Sequence, residues 1–267
     1  MGAALPGYGP IDTVICDIDG VLLLGAKPIP GAREALERVR AAGIRLIFAT
    51  NNATKSPPAV RTHMQDVIGF DPGCDAVVNS GVATARFIAG KVERVFVVGS
   101  DGLRSTLGEE GIAITDDWRE ADAVVTGTNF DVTYEVLAHA GLAVQNGATF
   151  YATNSDVAFP RPDGLYPGAG AITAVVALTT GVSPIVCGKP FAPMRNALEA
   201  QGGSRILIVG DRPDTDIALG KEEGWPTVLV LSGVVTDRNQ IPAALTPDVV
   251  LNSIAELPAA LGVDDPD

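Results

Sequence analysis

The run "VICDIDGVLLL", residues 14–24, sets two carboxylates into an otherwise apolar stretch. "TVIC" (13–16) reads as a buried strand, and Asp17 and Asp19 follow at its end. Burying an unpaired carboxylate costs several kcal/mol, so a chain keeps one there only where something compensates the charge. Two other apolar runs end in the same manner: "RLIFA" delivers Thr50 and "ILIVG" delivers Asp211. In an open parallel sheet, ligands bind just beyond the carboxyl ends of the strands. If these three strands are neighbours, Asp17, Thr50 and Asp211 converge on one crevice. Clustered carboxylates resist joint ionisation unless a cation lies between them. The hard, oxygen-seeking cation that suits such a set is Mg²⁺.

Outward from that run, strands and helices alternate. A helix is expected over 30–43, with Ala35, Leu36 and Val39 on one face and Gly43 at its end. A strand over 44–50, a helix over 56–69, a strand over 75–80 and a helix over 81–90 follow. Further strands are expected at 94–100, 121–128 and 149–156, with helices over 101–111, 132–141 and 171–181. "FPRPDGLYPGAGA" (159–171) reads as a Pro/Gly-rich loop. After "SPIVCGKP" come a helix over 191–203, the strand 205–211, a helix over 215–224 and a closing strand, strand and helix. This rhythm predicts the α/β class: a Rossmann-like, doubly wound parallel sheet. Residues 82–184 are long enough for a smaller α/β domain inserted into a core made of 1–81 and 185–267.

Composition removes several functions. The chain has 267 residues, a formal charge of −13 and 46% apolar residues. So acidic a chain has no electrostatic footprint for nucleic acid or anionic lipid. Cys16, Cys74 and Cys187 are too sparse for a disulfide framework and suit a reducing compartment. "MGAALPGYGPID" lacks the basic flank and apolar stretch of a secretory signal. No run reaches the ~18 apolar residues of a membrane helix. A cytoplasmic protein without membrane or nucleic-acid partners is expected. His63 and His139 lie far apart outside any ligand-spaced motif, so a histidine zinc site is not expected. There is no G-x-S-x-G elbow and no G-x-x-x-x-G-K-[ST] loop.

Lys189, after "PIVCG", adds a positive charge to the acidic set. A cation, an ammonium, a threonine hydroxyl and backbone amides together suit a phosphoryl dianion. An aspartate can then attack phosphorus as a nucleophile, and a second acid can protonate the leaving alcohol. Each residue alone has an ordinary reading. An Asp after a strand is commonly a turn former or helix cap, Thr50 a cap, and Lys189 a solvated surface residue.

Taken together, "DIDGVLL", "FATNN", "CGKP" and "GDRPDTD" resemble the four motifs of the haloacid dehalogenase superfamily, in the family's order and across nearly the whole chain. The large insert, "TNN" and "YPGAGAI" resemble the capped subgroup of NagD-type sugar phosphatases, p-nitrophenyl phosphatases and pyridoxal-phosphate phosphatases. The resemblance implies a role for each matching residue. Asp17 would be the nucleophile and a Mg²⁺ ligand. Asp19 would be the general acid/base and lend its backbone carbonyl to the metal. Thr50, with Asn51 and Asn52 beside it, would bind the phosphoryl group, and Lys189 would hold nucleophile and phosphate. Asp211 would ligate Mg²⁺, and Asp216 or, as the alternative, Asp214 would orient metal-bound water. Gly20 and Gly210 would permit tight turns beside the ligand. Val21 departs mildly from the threonine most relatives carry there.

The activity so implied is Mg²⁺-dependent hydrolysis of small phosphate monoesters (sugar, polyol or nucleotide phosphates, and p-nitrophenyl phosphate in vitro) through an aspartyl-phosphate. Phosphomutase or phosphonatase chemistry on the same scaffold, and a non-catalytic phosphoryl-ligand sensor, are the alternatives. Dehalogenases need no acid at the position of Asp19, and a sensor need not keep one. Asn154, Asp156, Arg161 and Tyr166 are candidates for the entrance, with Asn154 a candidate substrate-binding residue. The resemblance also admits a homodimer paired through the insert.

Overall fold

A computed structural model describes residues 9–73, 76–161 and 163–263. Cys74, Asp75, Pro162 and the first eight residues of the N-terminal stretch lie outside the described residues.

In chain order the elements are β1 (Thr13–Cys16), β2 (Leu23–Leu24), β3 (Lys27–Pro28), α1 (Ala32–Ala41), β4 (Arg45–Thr50), α2 (Pro57–Ile68), β5 (Val77–Asn79) and α3 (Ser80–Ile88). Next come β6 (Arg94–Val98), α4 (Asp101–Glu109), β7 (Ala113–Thr115), β8 (Ala123–Thr126), α5 (Tyr134–Gln145), β9 (Thr149–Ala152), β10 (Ala158–Arg161), β11 (Gly164–Pro167), α6 (Ala169–Thr180) and β12 (Ile185–Val186). The chain continues through α7 (Ala192–Glu199), β13 (Ile206–Gly210), a π-helical turn (Pro213–Ile217), α8 (Ala218–Glu223), β14 (Thr227–Val230), β15 (Val249–Leu251) and α9 (Leu257–Ala260).

Two compact units result. One comprises Met1–Thr50, Val60–Val78 and Leu198–Asp267; the other comprises Asn51–Ala59 and Asn79–Ala197. The second is wider than an insert at 82–184: it takes in the loop after β4 and runs on past Lys189.

The first unit is built on a six-stranded sheet in the order β15-β14-β13-β1-β4-β5, and the pairings from β15 to β4 are all parallel. Buried on both faces, its strands read as continuous apolar runs: every residue of β1 and β13 is buried. Val14, Cys16, Phe48, Leu207, Val209 and Val228 join Leu36 and Val39 of α1 in one apolar core. Helix α1 turns Ala35, Leu36 and Val39 inward, as their spacing predicts, and Gly43 follows it at φ +77°.

The second unit carries a five-stranded parallel sheet in the order β12-β9-β8-β6-β7. One apolar cluster joins Ala85, Ile88, Val95, Leu103 and Tyr151; another joins Phe96, Val124, Ala143, Phe150 and Ile172. The expected loop at 159–171 is instead an antiparallel hairpin, β10–β11, followed directly by α6. The ribbon has only two strands, so Pro160 has no second neighbour that needs its missing N–H. The cross-strand pair Phe159–Tyr166, with ring centroids 6.1 Å apart, outweighs the breakers. The strand expected over 149–156 stops at Ala152, because Asn154 Oδ1 accepts the backbone N–H of Asp156 and turns the chain. No described helix is long and apolar enough to cross a membrane.

Candidate active site

Strand β1 lies between β13 and β4 in the first unit, with Cys16 level with Val209 and Phe48. The three apolar runs are therefore adjacent parallel strands, and Asp17, Thr50 and Asp211 emerge at one sheet edge. The backbone N–H of Asp17 continues the ladder to the Val209 carbonyl at 2.9 Å. Asp216 joins them from the π-helical turn, where its backbone N–H bonds the Arg212 carbonyl at 3.0 Å. Asp17, Asp211 and Asp216 are all buried, and each offers a carboxylate oxygen within 4.8 Å of the others.

Hydrogen bonds hold the Asp211 and Asp216 carboxylates. Asp211 Oδ2 accepts the Val234 N–H at 2.7 Å. Asp216 Oδ2 accepts the Arg212 N–H at 3.3 Å and the Thr215 hydroxyl at 3.2 Å. Two glycines make room. Gly20 has φ +83°, and a Cβ there would strike the Asp211 carboxylate. A Cβ on Gly210 would strike the Asp216 carboxylate. Gly210→Ala should therefore displace Asp216, lower stability by about 1–3 kcal/mol as overpacking does, and weaken any divalent-cation binding at the cluster. Thermal melting with and without Mg²⁺ checks this, and an unchanged melting temperature in both conditions would contradict it.

Three buried carboxylates are costly together unless a cation offsets them. Oxygens around an octahedral Mg²⁺ at about 2.1 Å lie about 3 Å apart when adjacent and about 4.2 Å when opposite. The observed cluster is of that size and all-oxygen, so the residues fit Mg²⁺. Asp19 is exposed and is not among the clustered carboxylates; its expected contribution to a metal is a main-chain carbonyl. Between the two alternatives in "DRPDTD", Asp216 lies in the cluster. Asp214 instead pairs with Arg212 at 2.7 and 3.1 Å. Burial works against the Asp214 charge, but the two hydrogen bonds and the charge of Arg212 outweigh it and hold the carboxyl below its ordinary range.

The second unit gathers the remaining candidates around Asn51. The Asn51 side chain accepts the Lys189 N–H at 2.7 Å and donates to the Lys189 carbonyl at 3.2 Å and to Asp156 Oδ2 at 3.3 Å. The Asn51 carbonyl accepts Asn154 Nδ2 at 2.7 Å and the Ser80 hydroxyl at 2.5 Å. Asn51, Ser80, Asn154 and Lys189 are all buried. Asn52 is exposed, and its side-chain oxygen accepts the N–H and hydroxyl of Thr54 at 3.0 and 2.6 Å. Arg161 and Tyr166 sit on the β10–β11 hairpin, where the guanidinium lies 4.4 Å from the Tyr166 ring centroid and 4.9 Å from that of Phe130.

Sequence reasoning missed Ser80 and the Ser232–Val234 turn. The Ser232 hydroxyl donates to the Gly20 carbonyl at 2.8 Å, so this turn after β14 supports both the Gly20 loop and Asp211. A hydroxyl beside a glycine carries no motif, and its place follows only from the strand order. Cys16 is a buried apolar residue of the core whose thiol donates to the Asp17 carbonyl at 3.2 Å. Burial pushes the Cys187 thiol up to about 11, which leaves it inert.

A haloacid dehalogenase-like hydrolase profile matches residues 14–113, and a HAD-hydrolase-like profile matches residues 186–257. An acid sugar phosphatase of Staphylococcus aureus is 39% identical over 252 residues, covering 91% of this chain and 96% of that protein. The solved p-nitrophenyl phosphatase of Archaeoglobus fulgidus superposes with a TM-score of 0.87 at 35% identity, covering 94% of this chain and 99% of the other. A glycerol phosphate phosphatase of Mycobacterium tuberculosis, solved in complex with magnesium, gives a TM-score of 0.85 at 32% identity, covering 94% of this chain and 76% of the other. Together with the fold and the carboxylate cluster, these matches show that the chain belongs to the haloacid dehalogenase-like hydrolases, in the NagD-like subgroup, and is a phosphatase.

Proposed function

We propose that this phosphatase is a Mg²⁺-dependent phosphomonoesterase that hydrolyses small phosphate esters through an aspartyl-phosphate on Asp17. The observation that carries the reading is the buried Asp17–Asp211–Asp216 cluster, with its carboxylate oxygens within 4.8 Å. Sugar, polyol and nucleotide phosphates are the substrate class, and the names of the sugar and glycerol phosphate phosphatases among the relatives support its sugar and polyol members. Bound Mg²⁺ supplies charge neutralisation at the carboxylates and the phosphoryl oxygens. A reducing cytoplasm suits Cys16 and Cys187, both buried and neither in a disulfide.

The chain's own residues carry the two steps. The Asp17 carboxylate attacks phosphorus, forming an O–P bond as the bond to the leaving oxygen breaks. Asp19 gives its proton to that leaving oxygen. It then takes a proton from the water that attacks the phosphoenzyme, so orthophosphate leaves and Asp17 is regenerated. The different settings of the two residues, Asp17 buried and Asp19 exposed, suit a nucleophile held in place and an acid/base open to alcohol and water. Thr50, Asn51 and Lys189 keep the phosphoryl-holding roles that the family motifs give them. Phosphate release from a panel of sugar, polyol, nucleotide and p-nitrophenyl phosphates, with and without Mg²⁺, tests the reading. Metal-dependent release from at least one alkyl ester is expected; release from none, or release indifferent to Mg²⁺, would refute it.

The role of Asp19 has its own signature. General acid/base help is worth ~10²- to 10⁴-fold, and its need depends on the leaving group. An alkoxide must be protonated as it departs, whereas p-nitrophenolate leaves readily. Asp19→Asn should therefore slow phosphoenzyme formation far more for an alkyl phosphate than for p-nitrophenyl phosphate, as read by rapid quench. Equal slowing for both would show that Asp19 acts on the loop or the metal instead.

A further inference from the structure

Asn154 was a candidate substrate ligand, yet its side chain is already used. Its Nδ2 donates to the Asn51 carbonyl at 2.7 Å, its Oδ1 accepts the Asp156 N–H at 3.0 Å, and the residue is 5% exposed. Asn51 in turn grips Lys189 from both sides of one residue, accepting its N–H at 2.7 Å and donating to its carbonyl at 3.2 Å. Gly188 allows this approach: a Cβ there would lie 2.6 Å from Asn51 Oδ1 and 2.6 Å from the Thr153 carbonyl. Asn154, Asn51 and Lys189 thus form a buried chain of hydrogen bonds in which each link orients the next.

We propose that Asn154 is a positioning residue that acts through Asn51 to fix the backbone of Lys189, and that it does not contact the substrate. Asn154 leaves the loop after β9, inside the long insert, and its amide fastens that loop to the residues after β4. Ser80 donates to the same Asn51 carbonyl at 2.5 Å, so without Asn154 the carbonyl keeps a partner and the fold persists. What is lost is the second restraint on Asn51, and with it the fixed setting of Lys189. The catalytic consequence rests on the reading that Lys189 holds the phosphoryl group; the structural consequence does not.

The test compares Asn154→Ala and the near-isosteric Asn154→Asp with the unmodified protein, using a lysine-acylating reagent and peptide mass spectrometry. Lys189 is 2% exposed, while Lys27, Lys55, Lys91 and Lys221 are exposed and serve as internal references. Acylation of Lys189 should rise roughly fivefold to tenfold in both variants, the population shift expected from one lost hydrogen bond, with the four references unchanged. Asn154→Asp should be affected at least as strongly as Asn154→Ala, because it sets an oxygen against the Asn51 carbonyl. Activity towards p-nitrophenyl phosphate should fall on the order of tenfold to a hundredfold, the scale of a misplaced positioning contact. Asn51→Ala should abolish any further effect of Asn154→Ala on Lys189 acylation. Unchanged Lys189 acylation beside reduced activity would overturn the proposal in favour of direct substrate contact. Additive effects of the two substitutions would overturn it as well. Increased acylation in a protein that hydrolyses no phosphate ester would leave the positioning intact and refute the proposed function.

Discussion

Asp17→Asn should fold as the unmodified chain does and lose turnover by roughly 10⁴-fold or more, the scale seen when a covalent nucleophile is removed. An amide has nearly the shape of the carboxylate, so the N–H···O bond from Asp17 to Val209 at 2.9 Å has no reason to break. The amide cannot form a phosphoenzyme. Stability supplies an independent check. Asp17, Asp211 and Asp216 bring three buried carboxylates within 4.8 Å, and replacing one relieves like-charge repulsion in the metal-free protein. The metal-free variant should therefore melt no lower than the metal-free unmodified protein. Circular-dichroism melting and phosphate release, measured on the same preparation, check both halves. Turnover close to that of the unmodified protein would remove Asp17 from the nucleophile's role, while a collapsed fold would mean that its charge is structural.

Removing divalent metal is the second large effect. Excess EDTA should silence phosphate release, and Mg²⁺ should restore it. A ligand that binds only the folded state adds RT ln(1 + [L]/Kd), about 2.7 kcal/mol at a hundred times Kd. Mg²⁺ should therefore raise the melting temperature of the metal-free protein, and Asp211→Asn should reduce that rise sharply. Ca²⁺ should also stabilise the fold but fail to support turnover, because its longer bonds and higher coordination number misplace the attacking carboxylate. Full activity after exhaustive chelation would contradict this account of the carboxylate cluster, and so would a melting temperature indifferent to Mg²⁺.

Much of the first unit was legible in the chain because its signals are local. Strands β1, β4 and β13 are largely apolar, buried runs, and Asp17, Thr50 and Asp211 stand at or one residue past their ends on the same sheet edge. Two carboxylates after "TVIC" broke the apolar rule strongly enough to mark that edge. The sequence leaves Asp216 and Asp214 as alternatives because both fall in one turn, and only the path of the π-helical turn brings the Asp216 carboxylate into the cluster. The hairpin at 158–167 was hidden for a different reason. Pro160 and Gly164 are breakers by propensity, and the Phe159–Tyr166 pairing that overrides them is a cross-strand contact with no sequence period. The Asn51 node was equally hidden. Its partners Ser80, Asn154 and Lys189 lie up to 138 positions away, and nothing local to "TNN" announces them.

The central claim is a covalent phosphoryl group on one carboxylate. The direct measurement is an acid quench of the Mg²⁺-loaded protein during turnover of phosphorus-labelled substrate, followed by peptide mapping. The account predicts an acid-stable, hydroxylamine-labile label on the peptide that contains Asp17, absent from Asp17→Asn and, with labelled p-nitrophenyl phosphate as substrate, accumulating in Asp19→Asn. Label on any other residue, or turnover that never passes through a labelled protein, would contradict it.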